Sequence, residues 1–174
     1  TPKLSFKFNP IGMKDNSSQD RSVSVGNIFS SNRLGLDNTF EEGKSLTLGL
    51  NYKKEKIKYK NNKKNEDDQM DEINNYFELK LATVLRDKEE RFIPNKSTLH
   101  RKNSNIFGKI TNNLHNNLQI DYDFALDNDL NTFEYSNMST TFLFGNFETT
   151  FNFLEENGEM GDENILSSYA SYSI

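Results

Sequence analysis

Four stretches of this chain alternate apolar and polar side chains one for one, and that period limits the fold more than any other feature. Leu46, Leu48, Leu50 and Tyr52 alternate with Ser45, Thr47, Gly49 and Asn51. Phe77, Leu79, Leu81 and Leu85 alternate with Glu78, Lys80, Ala82 and Arg86. Leu118, Ile120, Tyr122, Phe124 and Leu126 alternate with Gln119, Asp121, Asp123, Ala125 and Asp127. Phe147, Thr149, Phe151 and Phe153 alternate with Glu148, Thr150, Asn152 and Leu154. A period of two places each set on one face of an extended strand. The polar sets carry charges in mid-strand, which the packed core of a sandwich would not accept.

Composition narrows the choice. Only 33% of the 174 residues are hydrophobic and the mean hydropathy is -0.83, values that point toward disorder. Yet aromatics reach 12%, and they are spaced along the alternating runs. A transmembrane barrel reconciles the two, because each strand needs an apolar side chain only at every second position. The sequence therefore predicts an all-β chain, part of an antiparallel up-and-down outer-membrane β-barrel. About nine strands are expected, near 3–9, 20–30, 44–55, 75–87, 104–113, 117–127, 130–143, 146–154 and 165–174. Glu78, Lys80, Gln119, Asp121, Asp123 and Glu148 are expected to face the lumen. Leu79, Leu81, Ile120, Tyr122, Phe124, Phe151 and Phe153 are expected to face lipid. Tyr76, Phe77, Phe142, Phe144 and Phe147 fall near strand ends, where interface girdles place aromatics.

The connections carry a second pattern. Leu114–Asn116 and Phe144–Asn146 read as tight turns, whereas 87–103 and the acidic stretch 155–163 are long. Counting parity puts the tight turns at one end of the sheet and the long loops at the other, as in barrels with short periplasmic turns. The charged stretch 53–74 falls on the short-turn side and is read as a solvated, disordered insertion within a single partial domain. Both termini read as cuts into a longer protein.

Little in the chain points to chemistry. Asp127-Asn128-Asp129-Leu130-Asn131 begins like a calcium loop, but Thr132 stands where Gly is needed and Met138 where a bidentate Glu belongs, so it reads as a hairpin turn. Asp121 and Asp123 share a strand face, and a water-lined wall accounts for them better than acid–base catalysis. His100 and His115 have no nucleophile at motif spacing, and there is no cysteine. The net charge of -5 argues against nucleic-acid binding. No enzyme, metal or cofactor is expected.

Two segments add a family likeness. Asn27-Ile28-Phe29, Asn32-Arg33-Leu34-Gly35-Leu36-Asp37 and Glu42-Gly43 lead into Leu46-Thr47-Leu48-Gly49-Leu50. Arg86-Asp87-Lys88, Phe92-Ile93-Pro94 and Ser97-Thr98-Leu99 precede Ser104-Asn105-Ile106-Phe107-Gly108, and Tyr122–Asp127 follows. In order and spacing, across roughly residues 15–130, these resemble the barrel domain of the LPS-assembly protein family LptD, also called OstA or organic solvent tolerance protein. Leu34 stands where that family usually has an aromatic, and Asn38 replaces a common Arg. The resemblance implies a Gram-negative outer-membrane location and lipopolysaccharide as cargo, while the residues by themselves leave open another outer-membrane barrel (a porin or receptor) or a soluble β-rich surface or adhesive domain. It also implies an LptE-type lipoprotein plugging the lumen, and a periplasmic Lpt bridge acting through an N-terminal domain that this chain does not include.

Overall fold

A computed structural model of the chain describes residues 1–37, 39–59, 71–115 and 117–173. The strands are β1 (Pro2–Asn9), β2 (Gly43–Tyr59), β3 (Asp71–Arg86), β4 (Ile106–His115), β5 (Leu118–Leu126), β6 (Phe133–Phe144), β7 (Phe147–Glu156) and β8 (Asn164–Tyr172). They form one antiparallel sheet in chain order, each strand paired with the next, and the described sheet is open, with β1 at one edge and β8 at the other. Two 3-10 turns, at Asn95–Ser97 and Gly158–Met160, interrupt the connections.

Seven of the eight strands fall where period two places them in the middle and C-terminal parts of the chain, and β1 matches the stretch 3–9. The exception is 20–30, which is not a strand. Ser22-Val23-Ser24-Val25 alternates, but the chain then folds into successive turns: the Ile28 amide donates to the Ser24 carbonyl at 3.0 Å, and the Ser30 amide to the Asn27 carbonyl at 2.9 Å. The Asn27 side chain accepts from the Ser24 amide at 2.9 Å, the kind of local bond that lets Asn compete with a sheet ladder. β1 and β2 are therefore direct neighbours, joined by 10–42, and among the described residues the sheet has eight strands rather than nine.

The expected insertion at 53–74 divides. Residues 53–59 and 71–74 pair with each other as the ends of β2 and β3, and 60–70 lie outside the described residues. β3 pairs with β4 only as far as Tyr76↔Asn113, so the β2–β3 hairpin runs five residues further, about 17 Å at a strand's rise.

Connections 10–42, 87–105, 127–132 and 157–163 leave one end of the sheet, and 116–117 and 145–146 the other. The long ones fold back over the sheet. Met13, Val23, Ile28, Leu34 and Leu36 from the first, Ile93 and Leu99 from the second, and Met160 from the last meet Ala82, Val84, Phe107 and Ala125 on the strands. This small buried cluster is the chain's apolar core, and it lies on one face, at the long-loop end.

Candidate functional site: a two-faced sheet

Direct cross-strand partners share a face, so the register assigns every side chain. The chain of pairs Asn51↔Lys80, Lys80↔Lys109, Lys109↔Asp123, Asp123↔Asn137, Asn137↔Leu154 and Leu154↔Ile165 runs across one face from β2 to β8. We call it the inner face, because the long loops cover part of it. Glu78, Lys80, Gln119, Asp121, Asp123 and Glu148 all belong to it. Leu79, Leu81, Ile120, Tyr122, Phe124, Phe151 and Phe153 all belong to the other, outer face.

The segregation of charge is nearly complete. Among the described side chains the outer face carries Lys44, Lys54 and Lys56 on β2 and Glu155 on β7. Between them, from β1 to β8, it presents only uncharged side chains. Many are large and open to the surroundings: Leu4 is 70% exposed and Leu166 78%. Lys44 and Lys54 are ten positions apart, a contour of about 33 Å that a strand tilted at roughly 40° converts to about 25 Å of height.

The inner face has two zones. Toward the short turns it is polar and charge-paired. Lys109 Nζ meets Asp123 at 2.9 Å, and Lys80 Nζ meets Glu78 at 2.9 Å. Glu78 also accepts from Asn51 at 3.0 Å and from the Tyr76 hydroxyl at 2.6 Å. Tyr76 thus belongs to the polar face, where its hydroxyl is satisfied, and not to an outer aromatic girdle. Thr111 and Gln119 both donate to Asp121, at 2.7 and 2.6 Å. The acidic pair Asp121 and Asp123 is accounted for by these partners.

Toward the long loops the inner face is dry. Residues 10–42 cover it, and Phe29 sits where Gly49 leaves room: a Cβ at Gly49 would lie 2.6 Å from the Phe29 ring. Arg33, fully buried, holds this cover in place. It donates to Glu41 at 2.7 Å, to Thr47 at 2.9 Å and to Ser45 at 3.0 Å. Arg86, at the end of β3, also pairs with Glu41 and donates to the Glu42 carbonyl. Burial alone would raise the Glu41 carboxyl, but hydrogen bonding and charge from Arg33, with the charge of Arg86, more than reverse it and hold the group below the usual carboxylate range.

A second set of polar contacts ties the remaining loops. Lys96 reaches Asp20 at 3.2 Å and Glu156 at 3.1 Å, and Arg101 reaches Glu159 at 2.7 Å. The register skips Glu134 between the pairs Ala125↔Tyr135 and Leu126↔Phe133, and this bulge aims its carboxylate at the Asn105 amide, 2.6 Å away. His100, beside Glu159 at 3.4 Å, is held below its ordinary range, chiefly by burial.

Sequence reading missed Arg33, Glu41 and Arg86 as a unit, and Lys109 as the partner of Asp123. The available signal for the first was an Arg inside a Gly- and Asn-rich turn segment, a place where a long charged side chain needs a reason.

The described strands form an open antiparallel meander with one charged face and one apolar face that is nearly free of charge. The chain belongs to the LptD family, LPS transport system D, which it matches over residues 4–161. That is a transport and assembly family, not an enzyme family, and its cargo is lipopolysaccharide. No curated protein and no solved structure matches the chain.

Proposed function

We propose that this chain is a section of the wall of an outer-membrane β-barrel that delivers lipopolysaccharide into the outer leaflet. The observation that carries the reading is the partition of charge between the two faces. A strand crossing lipid must satisfy its backbone within the sheet, and charged side chains are costly on its lipid side but not on its lumen side. The band free of charge between Lys44 and Lys54 has about the 25 Å height of an outer-membrane barrel's apolar belt. On this reading Leu79, Leu81, Ile120, Tyr122, Phe124, Phe151 and Phe153 face lipid. Glu78, Lys80, Gln119, Asp121, Asp123 and Glu148 line a wet lumen suited to sugar and phosphate groups.

The role of the wall is passive. It closes the backbone, keeps water on one side and lipid on the other, and carries no covalent step. A lipoprotein of the LptE type in the lumen and a periplasmic bridge docking through an N-terminal domain would complete the route, as the family likeness implies.

Depletion of the full-length protein in its own cell tests the assignment. Surface-exposed lipopolysaccharide should fall and precursors should accumulate beneath the outer leaflet. Unchanged surface lipopolysaccharide, with an altered uptake of small solutes instead, would overturn the cargo and favour a porin.

A further inference from the structure

The lysines toward the short-turn end of β2 divide by face. Lys53 is on the inner face, paired with Glu55 at 2.6 Å and lying 5.0 Å from the centre of the Tyr76 ring. Lys54 and Lys56 alternate with them and are exposed on the outer face, directly after Leu46, Leu48, Leu50 and Tyr52. Tyr52 meets Phe77, the cross-strand partner of Lys54, edge to face with centroids 6.2 Å apart. The order along this outer stripe is thus aliphatic, aromatic, then basic. Glu55 and Glu78 both point to the opposite face, and among the described side chains neither Lys54 nor Lys56 forms an ion pair.

We infer that Lys54 and Lys56 form a site for anionic phospholipid headgroups in the leaflet at the short-turn end of the sheet. The inference rests on the membrane-wall reading proposed above. A lysine just past an apolar belt lays its methylene stem along the acyl region and sets its ammonium among headgroup phosphates. Two lysines on successive outward positions present two ammonium groups to one phosphate or to neighbouring ones. The apolar Leu48, Leu50 and Tyr52 immediately adjoining them favour a lipid over an acidic protein: a protein partner would have to cover this exposed stripe as well, whereas a lipid's own chains continue onto it. The site would thereby fix the height of the hairpin against the bilayer.

The test uses the full-length protein in nanodiscs, with headgroup-photoactivatable phosphatidylglycerol or phosphatidylcholine, and mass-spectrometric mapping of the crosslinked peptide. Phosphatidylglycerol should label the peptide containing residues 50–56 about fivefold or more over phosphatidylcholine, the scale expected for a lysine at an anionic surface. The double variant Lys54→Gln/Lys56→Gln should abolish that preference, and Lys53→Gln on the inner face should keep it. Equal labelling by both lipids, or a preference that survives the double variant, overturns the inference. A parallel probe activated in the acyl chain separates the two readings. If it labels Leu48 and Leu50 while the headgroups show no preference, the lysine site alone falls. If it labels neither, the membrane wall falls and takes the site with it.

Discussion

The ring of Phe124 occupies the space directly above Gly108, its cross-strand partner: a Cβ placed on Gly108 would lie 2.1 Å from Phe124 Cζ. The absent side chain on β4 is replaced by an aromatic from β5. Gly108→Ala should therefore expel the ring and destabilise the folded protein by about 1–3 kcal/mol, the usual cost of overpacking. Adding Phe124→Ala should recover part of that loss, so the two substitutions will not be additive. Urea unfolding of the full-length protein in detergent, followed by the mobility shift of the folded form, measures both.

The two faces should differ in their tolerance of charge. Tyr122→Lys and Phe124→Lys lie in the middle of the outer apolar band and should each cost about 2–4 kcal/mol near a bilayer midplane. Asn137→Lys, beside Asp123 on the inner face, should cost little. The amount of each full-length variant recovered in assembled form from outer membranes reports the difference. Equal recovery of all three would mean that the outer face does not meet lipid.

Glu41 neutralises two buried guanidinium groups at once, so Glu41→Gln should be far worse than loss of a surface ion pair. Leaving a buried charge without its partner typically costs about 3–5 kcal/mol. The same geometry sets a pH dependence. A carboxyl whose folded-state pKa is depressed contributes stability that is present above its unfolded value and is lost as pH falls through the folded one. Glu41 is held below the usual range, so the 10–42 cover should stay docked at pH 5 and loosen only as pH drops beneath the ordinary carboxylate value of about 4.3. Hydrogen exchange of residues 10–42 against pH checks the direction, and Glu41→Gln should remove this contribution.

Ile28 is fully buried between the cover and the sheet. Ile28→Ala should cost about 2–5 kcal/mol, but locally, because the outer face and the strand ladder do not depend on it. Limited proteolysis should cut within 10–42 much faster in the variant, while the strands from β4 to β8 keep their protection.

Period two was enough to find β1 to β8 and to sort thirteen residues between two faces, because a strand's side-chain direction is a local property. It failed at Ser22–Val25 for the same reason. Val23 is buried and its neighbours are more open, as in a strand, but it is buried in a cluster whose other members, Phe107 and Met160 among them, are mostly remote in sequence. The turn chemistry of Ser24, Gly26 and Asn27 was the better guide. The dry zone of the inner face was invisible from Ser45 and Thr47, whose polar character fits a wet wall equally well. They are buried because Arg33 needs acceptors there. Contacts such as Arg86 with Glu41, or Lys96 with Glu156, depend on which loops fold back, and alternation says nothing of that.

The loop cover also acts as a check on strand alignment. A slip of one residue between β2 and β3 would turn Arg86 to the opposite face, leaving Arg33 and Glu41 without it and Val84 without the apolar side chains it packs against. The Arg86–Glu41 pair closes over the β2–β3 hairpin, 45 residues apart, and the Lys96–Glu156 pair closes over β4 to β7, 60 residues apart, so each requires the strands between its partners to be in register. A correctly registered sheet is sealed by its loops, and a misregistered one leaves the same apolar side chains uncovered. The turn segment between β1 and β2 thus rewards one alignment of β2 against β3 and no other.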